Sequence, residues 1–143
     1  MNDSPTGLAA YILEKFTYWV NRDNINRADG GLTEKFTLDE LLTNVMIYWV
    51  TGSATTSGRL YKESISYHVN SELKLDSVVV PSTVPIGFTA FPHEIFVHPR
   101  SFLSDIYRNI TRYTHMPRGG HFGAFEEPQL LADEIRAFVK TTL

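Results

Sequence analysis

The chain contains no cysteine. Disulfides, thiolate nucleophiles and thiolate zinc sites are therefore excluded. It has no surplus of positive charge either: 13 Lys and Arg stand against 16 Asp and Glu, a formal net charge of -3. No basic stripe forms, which argues against nucleic acid as a partner. No apolar run reaches the ~20 residues that cross a bilayer, and no signal peptide is visible. Internal repeats and low-complexity tracts are missing as well. His68, His93, His98 and His115 lack paired ligand spacing, so neither a metal nor another cofactor is expected. Two glycosylation sequons, at Asn2 and Asn109, are short patterns that carry little weight without a secretion signal. What the chain does have is aromatic surface. Phe, Trp and Tyr make up 13% of its 143 residues, enough bulky apolar area to build one ordinary domain.

The first half reads as helical. Ser4-Pro5 looks like an N-cap followed by proline at the first helical position. Leu8, Ala9, Ile12, Leu13, Phe16, Trp19 and Val20 then recur at helical spacing. Residues 21–31 are polar and read as a loop, with Asp29-Gly30-Gly31 as a turn. Thr37-Leu38-Asp39-Glu40 is a capping box, and Leu38, Leu41, Leu42, Val45 and Trp49 mark the buried face of the helix it opens. Thr51-Gly52 closes that helix. Arg59 to Glu63 suggests a shorter third helix.

The pattern changes after Tyr67. Residues 77–80 and 84–91 are β-branched and aromatic, interrupted by Pro81 and Pro85. One short strand is expected over Ile86 to Ala90, with an irregular approach to it. A short helix follows over residues 99–107, a second strand over 109–116 and a closing helix over 127–141. The second half thus reads strand, loop acid, helix, strand, loop histidine, helix. Parallel strands need crossovers of this length. Working residues in such sheets lie beyond the carboxyl ends of the strands.

Glu94 and His121 fall at those two ends. His121 sits in Arg118-Gly119-Gly120-His121-Phe122-Gly123, where the glycines are expected to let the backbone turn and to leave space above the imidazole. Strands of one sheet lie ~5 Å apart, so the two loops can meet. A carboxylate on one ring nitrogen would set the tautomer and leave the other nitrogen as a base. Glu126 and Glu127 read as charges near a helix N-terminus, with Pro128 in its first turn.

At this point the chain resembles the epoxide hydrolases of the α/β-hydrolase fold, most closely their microsomal and juvenile-hormone branch. The resemblance rests on residues 3–16 (Asp3-Ser4-Pro5-Thr6-Gly7-Leu8 and onward), Asp29-Gly30-Gly31-Leu32, residues 41–46, Arg59-Leu60-Tyr61-Lys62-Glu63, Gly87-Phe88-Thr89-Ala90-Phe91-Pro92-His93-Glu94 and Gly119-Gly120-His121-Phe122-Gly123-Ala124-Phe125-Glu126-Glu127-Pro128. These stretches occur in the family's order and cover nearly the whole chain. The resemblance implies an α/β class fold. A helical cap region over residues 1–75 would precede the C-terminal part of an α/β-hydrolase core over 76–143, with the last two parallel strands and their flanking helices. It implies His121 as the base, Glu94 as its orienting acid and Tyr61 as one tyrosine that polarises the epoxide oxygen. By residues alone, Tyr11, Tyr48 and Tyr67 compete with Tyr61.

The family's reaction needs an aspartate nucleophile on a strand-turn-helix elbow. That elbow is not found in these residues, nor is the His-Gly-x-Pro oxyanion loop or a second cap tyrosine. The expectation is a C-terminal fragment, inactive alone, whose partners are a lipophilic epoxide and either a complementing N-terminal half or a second copy of itself. By resemblance it would work at the microsomal membrane or in the cytoplasm. Two alternatives stay open: a non-catalytic remnant or interaction module, and a different α/β-hydrolase such as an esterase or dehalogenase.

Overall fold

The computed structural model of the chain describes residues 2–70 and 83–142, with side chains described over 2–64 and 83–142. The β-branched stretch 77–80 and the expected boundary at 75/76 lie outside the described residues. Backbone contacts divide the chain into two compact units. The first comprises Met1–Tyr18 and Asp23–Leu75; the second comprises Trp19–Arg22 and Asp76–Leu143.

The first unit is helical. Helix α1 spans Pro5–Tyr18, and Ser4 Oγ accepts the Gly7 amide at its start. A 3-10 turn over Arg22–Asn26 leads to α2 (Leu32–Lys35), α3 (Leu38–Thr51) and α4 (Ala54–Asn70). The capping box of α3 is complete. Thr37 Oγ1 accepts the Glu40 amide, and Glu40 Oε2 accepts the Thr37 amide. Gly52 ends α3 in the left-handed region at φ 62°, where a β-carbon is penalised. Leu8, Val45 and Ala54 form the core, with Ala9, Ile12, Leu13 and Trp49 packed against it. Phe16 meets Phe36 edge to face at 5.3 Å.

Four expectations are corrected here. The loop assigned to residues 21–31 holds the 3-10 turn, and the short α2 follows it directly. Helix α4 runs for 17 residues, longer than its sequence signal. Leu41 and Val45 are buried, whereas Leu38 and Leu42 are exposed. Leu42, Met46, Ile47 and Val50 instead line a shallow groove of about 510 Å³ on the outer face of α3. The apolar stripe of α3 is wider than the face that α1 covers, so spacing alone overstates its burial. Lastly, Trp19 and Val20 do not extend the α1 face. The helix stops at Tyr18, and both residues belong to the second unit.

The second unit contains β1 (Ile86–Ala90), α5 (Arg100–Ile106), β2 (Ile110–His115), α6 (Gly123–Glu126) and α7 (Pro128–Thr142). The two strands are parallel and pair with each other. Ile86 faces Ile110; an irregularity then shifts the register, so that Gly87 faces Arg112 and Ala90 faces His115. The α5 crossover supplies the return path that parallel pairing requires. A β-carbon at Gly87 would meet the Phe138 ring of α7 at 2.8 Å, so glycine lets the closing helix approach the strand. No helix among the described residues is long and apolar enough to cross a membrane.

A polar staple fastens α7 to β2. Arg112 reaches Glu134 with both Nε and Nη2, the latter at 2.8 Å, and Thr114 Oγ1 donates to the same carboxylate. The Arg112 hydrogen bonds hold the Glu134 carboxyl below its ordinary pKa, with Thr114 adding to the effect and desolvation opposing it. A lowered folded-state pKa contributes stability above the unfolded value, and this is lost as pH falls through the folded value. Glu134→Gln is therefore expected to destabilise the chain near neutral pH. In urea melts across a pH series, the gap between parent and variant should close as the solution is acidified below the ordinary glutamate range. A gap of constant size would show that the ion pair contributes nothing.

Candidate active site

The site is built from the two chain segments that leave the parallel strands. Beyond β1 the chain runs Phe91-Pro92-His93-Glu94; beyond β2 it runs from Met116 to Gly123. The ladder continues past both strand ends. Met116 N–H donates to Ala90 O at 2.8 Å. His93 forms an isolated parallel bridge with Gly120, and its amide donates to Gly119 O at 3.1 Å. The residue after each bridge partner is therefore carried to the same place. Those residues are Glu94 and His121.

His121 Nδ1 lies 2.7 Å from Glu94 Oε1. The same carboxylate oxygen accepts the Ile95 amide at 2.6 Å, which holds it against its own loop. With the Nδ1 proton in the shared bond, Nε2 keeps an available lone pair. His121 is 38% exposed and Glu94 29% at the side chain, so the ring is open to a small reactant while its partner is partly covered. Trp19 meets the imidazole edge to face at 4.9 Å, and Phe122 does so at 5.2 Å. The His121 amide donates to Trp19 O at 2.9 Å.

The glycines do the expected job of turning the backbone, at Gly119, and one more besides: they admit close packing against the loop. Gly119 alone of this loop takes positive φ, 103°. A β-carbon at Gly120 would sit 2.6 Å from Trp19 O, and one at Gly123 would overlap the Phe91 ring. Gly120 and Gly123 are buried, as is Phe91.

Glu126 and Glu127 stand just before a helix start, as read, with Pro128 the first residue of α7, and they do more than that position implies. Both are only 7% exposed. Glu127 Oε2 accepts from Arg118 Nε at 2.9 Å. Glu126 reaches back to the histidine loop, where Oε2 accepts the Gly120 amide at 2.8 Å and Oε1 the Phe122 amide at 2.9 Å. Its hold on the histidine loop was not foreseen from the sequence. The available signal was a carboxylate six residues beyond Gly120 and four beyond Phe122, too common a pattern to stand out. Tyr61 is placed on α4 of the first unit and is 65% exposed. The structure thus brings Glu94 and His121 together, and Tyr61 belongs to the other unit. The side chain of Tyr67 lies outside the described residues; Tyr11 and Tyr48 are exposed.

A parallel pair, a crossover helix and a histidine loop held to an acid loop beyond the strand ends define the C-terminal part of an α/β-hydrolase fold. Comparison with known proteins narrows this class. No family model matches the chain. It is 50% identical to epoxide hydrolase 1 of Sus scrofa over 139 residues, covering 97% of the chain and 30% of that protein. It is 51% identical to juvenile hormone epoxide hydrolase 2 of Ctenocephalides felis over 140 residues, covering 98% and 30%. The crystal structure of juvenile hormone epoxide hydrolase from the silkworm Bombyx mori superimposes with a TM-score of 0.91 at 41% identity, covering 97% of this chain and 32% of that one. Along nearly its whole length, then, the chain is similar to epoxide hydrolases, in their epoxide hydrolase 1 and juvenile hormone branch. It spans about 30% of the length of the curated relatives it matches.

The packing around the loop makes a stability prediction. Gly120→Ala places a methyl against two backbone carbonyls, of Trp19 and Val20, which cannot rotate away as a side chain would. It is expected to cost about 1–3 kcal/mol. Gly7→Ala, whose β-carbon meets nothing closer than 3.5 Å, should be neutral or stabilising. Denaturant midpoints of the two variants, measured side by side, check the contrast.

Proposed function

We propose that this chain forms the acid-base part of an epoxide hydrolase that converts a lipophilic epoxide to a vicinal diol. In this reading the attacking aspartate comes from outside these 143 residues. One observation carries the proposal: the 2.7 Å contact between His121 Nδ1 and Glu94 Oε1, in a chain half identical to proteins named epoxide hydrolases.

The chemistry divides into two steps. An aspartate oxygen attacks one epoxide carbon and the carbon–oxygen bond of the ring breaks. The departing oxygen takes a proton from a phenol, and Tyr61 is the donor we assign. A phenol suits this task because it stays neutral near pH 7 and is a weak nucleophile. The product is an alkyl ester of the aspartate. In the second step His121 Nε2 removes a proton from water, and the resulting hydroxide attacks the ester carbonyl. Glu94 stabilises the imidazolium that forms. The tetrahedral intermediate collapses, and the departing alkoxide takes the proton from the His121 imidazolium and leaves as the diol. The carboxylic acid so formed returns its proton to the Tyr61 phenolate, restoring the aspartate carboxylate and the phenol.

Residues 1–75 then serve as the cap and residues 76–143 as part of the catalytic core. The partner is the half of the hydrolase domain that supplies the nucleophile, or a second copy of the chain. The epoxide substrate is supported by the names of the relatives, and its lipophilic character by the aromatic content of the chain.

Two experiments test this. The purified 143-residue chain should form no diol from a lipophilic epoxide above a His121→Gln control, measured by chromatography; turnover above that control would refute the external nucleophile. In the complete hydrolase carrying these residues, His121→Gln should slow ester hydrolysis by about 10²–10⁴-fold while leaving ester formation near the parental rate. The accumulated ester appears as a mass increase of one substrate. Undiminished ester hydrolysis would remove His121 from the role of base.

A further inference from the structure

Three successive amides run through the candidate base, and each has a named acceptor. The Gly120 amide donates to Glu126 Oε2 and the Phe122 amide to Glu126 Oε1. Between them the His121 amide donates to Trp19 O. One carboxylate thus brackets the histidine along the backbone, each oxygen holding one neighbour. Glu126 is itself buried, 7% exposed, and it closes the short helix α6 that the loop runs into. On the other side of the loop Gly119 O is held by the His93 amide.

A carboxylate is suited to this bracket and few other groups are. It offers two acceptor oxygens and no donor, so both can face N–H groups at once. Hydrogen bonds to an ionised acceptor are roughly twice as strong as neutral ones. The glutamine amide has one oxygen and one NH2. One of its ends would meet a backbone N–H donor to donor.

We propose that Glu126 is a positioning residue for His121, fixing the loop so that Nδ1 meets Glu94 while Nε2 is held toward the water of the second step. This inference rests on the reading of His121 as the base. Glu126 touches no reacting atom; it acts through the backbone of residues 120–122. A displacement of the ring by about 1 Å costs on the order of 10²-fold in rate, so a loosened bracket has a measurable consequence.

The test uses the complete hydrolase in single turnover, with ester formation and ester hydrolysis resolved and with rates expressed per folded molecule. Glu126→Gln is expected to slow ester hydrolysis by about 10–100-fold and to leave ester formation within about threefold. The bracket, not side-chain volume, is what the glutamine disturbs. A Glu126→Gln enzyme with parental ester hydrolysis would overturn the proposal, and so would equal loss in both steps, the signature of a merely structural residue. Glu126→Asp keeps the charge but is one methylene too short to reach both amides. It should show a smaller loss in the same step, and it decides the matter if the glutamine variant fails to fold. His121→Gln is run in parallel. If it slows ester hydrolysis while both Glu126 variants do not, the positioning role fails and the base stands. If His121→Gln itself leaves hydrolysis intact, the base reading fails and the positioning role goes with it.

Discussion

The hydrogen-bond ladder between β1 and β2 runs on past both strands, through Met116 with Ala90 and on to His93 with Gly119. The candidate site depends on that extension. Parallel pairing fixes which residues lie level with one another, and here it brings the positions after His93 and Gly120 side by side. Without the bridge, the loops that follow β1 and β2 would have many relative placements. With it, a carboxylate and an imidazole meet at 2.7 Å. The backbone establishes the juxtaposition, and the Ile95 amide on Glu94 then keeps the acid turned toward the ring.

The surroundings of His121 follow from that constraint. A loop that must continue a parallel ladder, turn, and start a helix within a few residues has little free volume. Gly119 takes the left-handed turn at φ 103°. Gly120 and Gly123 admit the Trp19 and Val20 backbone and the Phe91 ring, where a β-carbon would collide. The buried polar groups this creates are satisfied locally: Glu126 accepts the Gly120 and Phe122 amides, and the buried Glu127 carboxylate accepts from the exposed Arg118. Unsatisfied amides at this depth would each cost on the order of 1–3 kcal/mol. Farther out, the Arg112–Glu134 staple and the Phe138 contact at Gly87 hold α7 on the strands that carry both loops.

The similarity to epoxide hydrolases and the local geometry bear on different questions. The relatives and the silkworm structure speak for the fold and for the class of protein, across about 30% of their own lengths. The geometry speaks for what these side chains can do: a histidine whose Nδ1 is held by a carboxylate presents its other ring nitrogen for proton transfer. Neither names the epoxide. The exposed apolar stripe on α3, through Leu42, Met46, Ile47 and Val50, belongs to the helical unit alone.

Local signals were legible in the sequence because they act over a few residues. The Thr37–Glu40 capping box, the Gly52 stop, the two strand cores and the closing helix after Pro128 all depend on near neighbours in the chain. The pairing of Glu94 with His121 was inferable for a related reason, since strand, crossover and strand make a parallel pair and a parallel pair aligns its loops. What required the tertiary structure was direction and burial. Leu38 and Leu42 share the spacing of Leu41 and Val45, yet only the latter pair is covered, because coverage depends on where α1 lies. Trp19 continues a helical pattern, yet it leaves the helix to give its carbonyl to the His121 amide. Glu126 looks like a helix-start charge, yet it folds back onto the loop behind it. Periodicity states which residues can share a face; only the packed chain decides which face is buried and which amide a carboxylate finds.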